Sequence, residues 1–302
     1  MNELQTKLVL ALENVNRIIL GKETQLKLAF ACLMAKGHLL IEDLPGMGKT
    51  TLSHALANVL GLSYNRVQFT SDLLPSDVIG VTIFNRDEHT FEFHKGPVFS
   101  QVVLTDEINR ASPKTQSALL EAMEEHQVSV EGETHHLPEP FFVIATQNPM
   151  SQAGTYPLPE SQLDRFLMRV TLGYPPAEAE RELLKGQSRR QMATNLPPVF
   201  TPDELMSLQD SVKQVKVSEA LLDYIQRLVE FSRQKRNASI GLSPRGSLSL
   251  LRSAQAWAFL EGRDYVIPDD VQSVLASVVD HRVVSSENAL ISSLMLEQVA
   301  AI

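Results

Sequence analysis

A glycine-containing turn between a short apolar run and a helical pattern is the feature that most constrains this chain. Residues 38–41 (His-Leu-Leu-Ile) predict a buried strand, and residues 51–60 have the apolar spacing of a helix. The turn between them reads Asp43, Leu44, Pro45, Gly46, Met47, Gly48, Lys49, Thr50, Thr51. A strand, a turn and a helix in this order are typical of α/β folds with a parallel sheet.

The turn has the residue types of a phosphate-binding loop. Gly46 and Gly48 allow backbone N–H groups to face phosphate oxygens, and the following helix contributes its positive N-terminal end. Lys49 would reach the β- and γ-phosphates of a nucleotide, and the Thr50 hydroxyl would ligate Mg²⁺. Asp43 occupies a position where the strict pattern has glycine. An ordinary Gly-rich turn is the alternative, but Gly-Lys-Thr-Thr directly after a buried strand favours the phosphate loop.

Two further strand ends carry polar residues suited to nucleotide hydrolysis. Residues 102–105 predict a strand that leads into Asp106 and Glu107. Asp106 would hold Mg²⁺ through its water shell, and Glu107 would polarise the attacking water. A solvated acidic pair is the alternative, and the phosphate loop upstream argues against it. Residues 141–146 predict another strand, with Asn148 at its tip to orient water or sense the γ-phosphate, although asparagine is also a common turn residue.

The sequence leaves open the partners of two arginines. Arg165 could donate in trans to the γ-phosphate of a neighbouring subunit, or it could pair with Asp164 or Glu160 on the surface, and the residues alone favour neither. Arg245 follows the helix cap Ser243 and therefore lies in the first turn of a helix, where the helix dipole disfavours a cation. This placement suggests an anionic partner such as the γ-phosphate.

The rest of the chain predicts an α/β core followed by a small helical domain. With 302 residues, the chain suits one large domain or a core with a smaller companion. We predict an α/β core over residues 1–185, a linker over 186–200 and an all-helical domain over 201–302. Further strands are expected at 64–69 and 167–172, and antiparallel hairpins at 81–94 and 127–137.

Composition narrows the classes of partner. The net charge is −9, and neither half of the chain is basic, so nucleic acid is not expected as a ligand. A basic cluster, formed by Arg227, Arg233, Lys235 and Arg236, is read as a solvated helix end or a subunit contact. The single cysteine, Cys32, excludes an intrachain disulfide framework, and His135 and His136 are read as solvated hairpin tips rather than metal ligands.

The sequence also lacks the usual signals for membrane insertion or export. No apolar stretch approaches 18 residues, and the N-terminus has no basic and apolar segments of a signal peptide. We therefore expect a cytoplasmic protein.

The motifs and their order along the chain resemble those of AAA+ ATPases, and the residues within the motifs are similar to those of the MoxR family. The strings are DLLPSD at 72–77, FEFHKGP at 91–97, DEINRA at 106–111, ATQNP at 145–149, GTYPLPE at 154–160 and LDRF at 163–166. The resemblance extends over about residues 14–300. It implies a P-loop core, with a parallel sheet sandwiched by helices, and a small all-helical lid domain. An aspartate at position 43 is familiar in this family.

The resemblance also implies roles for individual residues. It implies a Walker A loop at 43–50, Walker B at 102–107, sensor 1 at Asn148, an arginine finger at Arg165 and sensor 2 at Arg245. Adenine would lie near Ile18, Ile19, Leu20 and Gly21. Arg110 matches a family arginine to which no role is assigned. The two hairpins would face a ring pore or a client.

The function implied by the family is Mg²⁺-dependent ATP hydrolysis by a ring of identical subunits, with a hexamer expected. Such proteins act as chaperones or maturation factors that remodel protein clients or insert cofactors into them, with a partner that carries a von Willebrand factor A domain. One alternative is a motor on DNA, which the acidic composition disfavours. Another is a nucleotide-dependent scaffold with little turnover, which the presence of Glu107 disfavours.

Overall fold

The computed structural model describes residues 3–149, 154–186, 188–235, 237–285 and 290–301. The strands are β1 (Leu39–Glu42), β2 (Tyr64–Gln68), β3 (Gly80–Asn85), β4 (Thr90–Lys95), β5 (Val102–Asp106), β6 (Gln127–Val130), β7 (Glu133–His136), β8 (Phe142–Gln147), β9 (Met168–Val170), β10 (Ala238–Ile240) and β11 (Val284–Ser285). The helices are α1 (Glu3–Asn16), α2 (Glu23–Met34), α3 (Lys49–Val59), α4 (Pro75–Ile79), α5 (Pro113–Glu125), α6 (Glu160–Leu163), α7 (Ala177–Leu184), α8 (Arg189–Thr194), α9 (Pro202–Lys213), α10 (Glu219–Arg233), α11 (Pro244–Leu260), α12 (Pro268–Val279) and α13 (Ile291–Gln298).

The core of the fold is a five-stranded parallel sheet in the order β2-β5-β8-β1-β9. This confirms the predicted fold class. Because all five strands run in the same direction, the segments that follow β1, β5 and β8 meet at one edge, the carboxyl edge of the sheet. The segments that precede β1 and β9 meet at the opposite edge, the amino edge.

Both faces of the sheet are buried, as expected for a parallel sheet covered by helices. Alternate residues of the strands enter two different apolar clusters, with Leu39 and Ile41 on one face and Leu40 on the other. The cluster that contains Leu39 continues into the helices after residue 201, where it includes Leu250 and Val274. The predicted lid, for which residues 201–302 are expected, therefore shares a hydrophobic core with the sheet through its described helices. Cys32 is fully buried in this cluster, consistent with a packing residue.

The two predicted hairpins are present as antiparallel pairs, β3 with β4 and β6 with β7. They touch each other, because the rings of Phe93 and His135 stack with their centroids 3.9 Å apart. His135 is therefore packed rather than solvated, contrary to the prediction. The first hairpin exposes apolar side chains, of which Phe91 is 73% exposed. It follows the short helix α4, which the sequence patterns did not predict.

The residues of the predicted lid that the structure describes form helices and one strand pair. β10 and β11 pair antiparallel, so the expectation of an entirely helical domain is wrong in this detail. Arg227 and Arg233, predicted as solvated or intersubunit, donate to backbone carbonyls within the chain, Arg227 to Ala300 and Ala301 and Arg233 to Leu242. Arg236 lies outside the described residues.

The predicted linker contains a helix, and the division into domains stays a prediction. α8 lies within residues 186–200 and packs on α3, where the Asn58 amide donates to the Ala193 carbonyl at 2.7 Å. Within the described ranges, no helix combines the length and the hydropathy needed to cross a bilayer.

Candidate functional site

The glycine turn forms a loop at the carboxyl edge of the sheet, between β1 and α3. Gly46 and Gly48 have φ values of 85° and 87°, a left-handed conformation that glycine adopts without the steric cost of a side chain. Helix α3 begins at Lys49, two residues before the predicted start, with Gly48 as its N-cap. Lys49 and Thr50 therefore lie in the first turn, beside the unpaired N–H groups of the helix.

The side chain of Lys49 is held over the loop by a backbone carbonyl of the loop. Its Nζ donates to the carbonyl of Asp43 at 2.7 Å. Partial burial lowers the pKa of Lys49, while the negative charges of Asp43, Asp106 and Glu107 oppose this shift. The ammonium group therefore lies within electrostatic range of both acidic residues predicted to act on the nucleotide.

Asp43, which replaces the expected glycine, anchors the loop. Its side chain is buried, and its two oxygens accept hydrogen bonds from the N–H of Leu44 at 2.8 Å and of Gly173 at 2.6 Å. Its own N–H donates to the Gln147 carbonyl at the end of β8. The aspartate thus ties the loop to the segment that follows β9, a connection a glycine could not provide.

Asp106 ends β5 at the same edge and is 6% exposed. One carboxylate oxygen accepts from the Thr146 hydroxyl at 3.0 Å, and the other accepts from Arg66 Nε at 2.7 Å. Thr50 and Asp106 supply a hydroxyl and a carboxylate, which are the oxygen donors that Mg²⁺ prefers. The donor set therefore fits the metal predicted from the sequence.

Glu107 follows Asp106 in a left-handed backbone conformation, with φ 56°. Its N–H donates to the Thr146 hydroxyl at 2.9 Å, so Thr146 bridges the two acidic residues. Its carboxylate accepts from Gln68 at 3.1 Å and from Arg110 at 3.0 Å. Sequence reasoning gave no role to Thr146, Gln68 or Arg110 at this site.

Asn148 directly follows β8, which lies between β5 and β1 in the sheet. The fold therefore brings it to the carboxyl edge, together with the loop and the two acidic residues. The preceding residue, Gln147, donates to Glu42 at the end of β1 at 2.7 Å. The strand ends are thus linked side by side.

A cavity of about 420 Å³ adjoins the loop. The predicted adenine-site residues Ile18, Ile19 and Leu20 line it together with Gly46, Met47, Gly48 and Thr51. Gly21 lies at the side of this region, because a Cβ atom built on it would be 2.7 Å from Pro176. The opposite wall was missed from sequence and comprises Gly173, Tyr174, Pro175, Glu180, Leu183 and Arg189. The Gly-Tyr-Pro-Pro string at 173–176, which follows β9, is the one local signal for this wall in the sequence.

Arg165 and Arg245 lie at the opposite side of the molecule from this cavity. Both pair with Glu124 near the end of α5: Arg165 Nη2 is 3.0 Å from Oε2, and Arg245 contacts Oε1. With Gly37 and Leu167, they line a cavity of about 210 Å³. Residues 37 and 167 precede β1 and β9, so this is the amino edge. The four residues of β1, roughly 13 Å, separate it from the phosphate loop of the same chain.

The surface pairing considered for Arg165 is wrong. Asp164 pairs with Arg282, whose Nε is 2.8 Å from Oδ1, and accepts from the Ser243 hydroxyl at 3.0 Å. Arg245 lies in the first turn of α11, as predicted, after the cap Ser243. The structure therefore brings Arg165 and Arg245 together but not to the loop of their own chain.

Comparison with family models matches two segments. Residues 38–168 match the model described as "ATPase family associated with various cellular activities (AAA)", and residues 230–298 match an AAA lid domain.

Several proteins resemble nearly the whole chain. The protein YeaC of Bacillus subtilis is 47% identical, with 96% of this chain and 90% of that protein covered. Chaperone MoxR1 of Mycobacterium tuberculosis is 41% identical, with coverage of 93% and 76%. Protein MoxR of Paracoccus denitrificans is 34% identical, with coverage of 89% and 86%. A crystal structure of a candidate ATPase from Cytophaga hutchinsonii has a TM-score of 0.90 and 36% identity, covering 98% of this chain and 95% of that one.

Proposed function

Because the chain belongs to the MoxR family of AAA+ ATPases, we propose that it hydrolyses ATP at the carboxyl edge of the sheet. The observation that carries the proposal is the convergence of Lys49 with Asp106 and Glu107 at one loop. A lysine that can reach the phosphates and two carboxylates at the same edge of the sheet are the groups with which P-loop enzymes transfer a phosphoryl group to water. The adjoining cavity of about 420 Å³ is of the size that small-molecule sites have.

Each residue of the loop has a binding role in this proposal. The N–H groups of the loop and of the first turn of α3 bind the phosphates, and Lys49 exchanges the Asp43 carbonyl for phosphate oxygens. Asp43 keeps the loop against Gly173, next to the wall that receives the base. Ile19, Leu20 and Tyr174 contribute apolar surface for adenine.

Mg²⁺ is the cation that the oxygen donors Thr50 and Asp106 suit. When bound, it neutralises negative charge on the phosphate oxygens. Thr146 orients the Asp106 carboxylate through its hydroxyl hydrogen bond. Arg66 neutralises the same carboxylate and is 43% exposed, so its guanidinium can move into solvent when a cation takes its place.

Glu107 is the general base of the proposal. Its carboxylate is held by Gln68 and Arg110, and Thr146 fixes its backbone. Asn148, at the neighbouring strand end, orients the attacking water beside it. Arg110 holds the carboxylate in place through its hydrogen bond to Oε2, which is the role we propose for the family arginine at this position.

Completion of the site requires a second subunit. Arg165 and Arg245 carry positive charge at the edge remote from their own loop, so the phosphate they can reach belongs to a neighbour. We therefore propose a closed ring of identical subunits, a hexamer, in which the amino edge of one subunit faces the carboxyl edge of the next.

The relative named Chaperone MoxR1 supports a protein client. The exposed apolar hairpin β3–β4 suits such a client, because Ile83, Phe84 and Phe91 are 48%, 45% and 73% exposed. We propose that the ring remodels or matures protein clients, together with a partner that carries a von Willebrand factor A domain. Substitution Phe91→Ala should leave basal ATP hydrolysis unchanged and abolish its stimulation by a client.

The direct test is phosphate release from ATP by the purified chain, with and without Mg²⁺. Lys49→Ala should abolish release, whereas Lys213→Ala, which removes an exposed lysine on the lid, should not change it. Equal release from wild type and Lys49→Ala would contradict the proposal. A rate that DNA stimulates and protein clients do not would favour a motor on DNA instead.

A further inference from the structure

The junction between the lid and the sheet contains a buried arginine to which neither the motifs nor the proposed function gives a role. Arg282 lies after α12, and its side chain is 2% exposed. A buried guanidinium is costly unless its donors are satisfied, and replacing such a group with apolar residues often improves stability. Its position therefore calls for an explanation other than stability.

The donors of Arg282 converge on the segment that carries Arg165. Nε donates to Asp164 Oδ1 at 2.8 Å, Nη1 donates to the Leu167 carbonyl at 3.0 Å, and Nη2 donates to the Phe166 carbonyl. Nε2 of the neighbouring His281 lies 3.1 Å from the same Phe166 carbonyl and 3.0 Å from Arg282 Nη1. One lid dipeptide thus holds the backbone on the C-terminal side of Arg165 and the side chain on its N-terminal side.

The same residue also contacts the helix that carries Arg245. A Cβ atom built on Gly246 would lie 3.2 Å from Arg282 Cδ, so the arginine packs against the first turn of α11. The cap of that helix, Ser243, donates its hydroxyl to the other oxygen of Asp164 at 3.0 Å. Asp164 and Arg282 therefore join the two elements whose arginines share Glu124.

We propose that Arg282 is a positioning residue that, through Asp164, sets the spacing and orientation of Arg165 and Arg245 for a neighbour's phosphate. The inference rests on the proposed function. A fork of donors that binds the Asp164 carboxylate and the backbone carbonyls of Asp164, Phe166 and Leu167 fixes this segment at several points, which a single ammonium cannot do. Lysine at position 282 should therefore keep the charge and lose the alignment.

The test is a double-mutant cycle on ATP turnover with wild type, Arg282→Lys, Arg165→Ala and the double variant. We expect Arg282→Lys to lower kcat about 10- to 100-fold, because small misplacements of a catalytic group cost that much, and to leave KM within about twofold. In the Arg165→Ala background, Arg282→Lys should lower kcat by a clearly smaller factor than in wild type, because only Arg245 is left to be misplaced. A residue that only supports the fold would lower kcat by the same factor in both backgrounds.

The matched control is Arg263→Lys. Arg263 pairs with the buried Asp270, and both belong to the predicted lid. Within the part of the chain that the structure describes, neither residue forms a hydrogen bond or an ion pair with Asp164 or Arg165. The substitution Arg263→Lys should lower the melting temperature about as much as Arg282→Lys does, and it should leave kcat unchanged. If Arg282→Lys does not unfold cooperatively, Asp164→Asn replaces it in the cycle, because it removes the carboxylate and keeps the shape.

The outcomes separate the inference from the proposed function. Absence of Lys49-dependent turnover in wild type overturns both. Three outcomes overturn only the inference when wild-type turnover is normal. They are an unchanged kcat in Arg282→Lys, an equal loss of kcat in both backgrounds, and an Arg165→Ala variant as fast as wild type.

Discussion

The carboxylate of Asp43 accepts a hydrogen bond from the backbone N–H of Gly173 at 2.6 Å, across 130 residues of sequence. The contact fixes the phosphate loop against the segment that provides one wall of the adjoining cavity. A departure from the usual glycine thus couples the two parts of the nucleotide site.

Asp43→Ala should destabilise the fold and weaken ATP binding. It leaves the N–H groups of Leu44 and Gly173 without their acceptor, at about 1–3 kcal/mol for each buried unsatisfied donor. Asp43→Asn retains one acceptor oxygen and should be intermediate. Urea unfolding and titration with a fluorescent ATP analogue measure the two effects. Asp264→Ala, at an exposed aspartate of the lid, is the control. Equal unfolding midpoints for wild type and Asp43→Ala would contradict the anchoring role.

Glu107→Gln should retain ATP binding and slow hydrolysis by roughly 10²- to 10⁴-fold, the usual contribution of a general base. The amide keeps the shape and can still contact Arg110, but it cannot accept a proton from water. Radiolabelled phosphate release and equilibrium binding separate the two effects. Glu261→Gln is matched in exposure, 33% against 32%, and should behave as wild type. A scaffold without useful turnover would instead give equal rates for wild type and Glu107→Gln.

Arg165→Ala should reduce turnover on the order of 10³-fold while the affinity of a single subunit for ATP survives. The reason is that Arg165 lies at the amino edge, away from its own loop. Mixing Arg165→Ala with Lys49→Ala subunits should restore activity, because an intact arginine then faces an intact loop. Loss of ATP binding by isolated Arg165→Ala subunits would show action within one chain instead.

Stability should fall as the pH drops from about 6.5 to about 4. His38 is fully buried between Met123 and Val143, and burial lowers its pKa to about 4. In that window the unfolded chain binds a proton that the folded chain does not, so the free energy of unfolding decreases, by about 3 kcal/mol for His38. Burial also lowers the pKa of His281, which makes the free energy of unfolding fall with pH in the same way.

Unfolding measured at several pH values tests this dependence. Replacing His38 with Gln should make the free energy of unfolding less dependent on pH between 6.5 and 4 than in wild type. The carboxylates contribute equally to both proteins, so their contribution cancels in the difference. His136→Gln, at an exposed histidine of the second hairpin, should leave the slope unchanged. A slope unaffected by His38→Gln would mean that the buried imidazole is not the titrating group.

The local sequence determined the phosphate loop, the strand that ends at Asp106 and both hairpins. Their signals are short in range: glycines with left-handed backbones, apolar runs of four or five residues, and caps directly before helices. The parallel order of the strands, which only the structure shows, then places Lys49, Asp106 and Asn148 at the same edge of the sheet. Helix α3 begins two residues before its predicted start, because the loop itself caps the helix. The strand pair β10–β11 was not predicted, because each strand is too short to show a pattern.

Side-chain partners were decided only by the tertiary structure. Glu124 binds Arg165 and Arg245 across 41 and 121 residues, and Arg282 binds Asp164 across 118. No local propensity encodes such pairs, since they depend on how α5, the segment before β9 and the lid pack at the amino edge. Sequence alone therefore identified the residues that can bind a nucleotide, while packing put two of the arginines beyond the reach of their own loop.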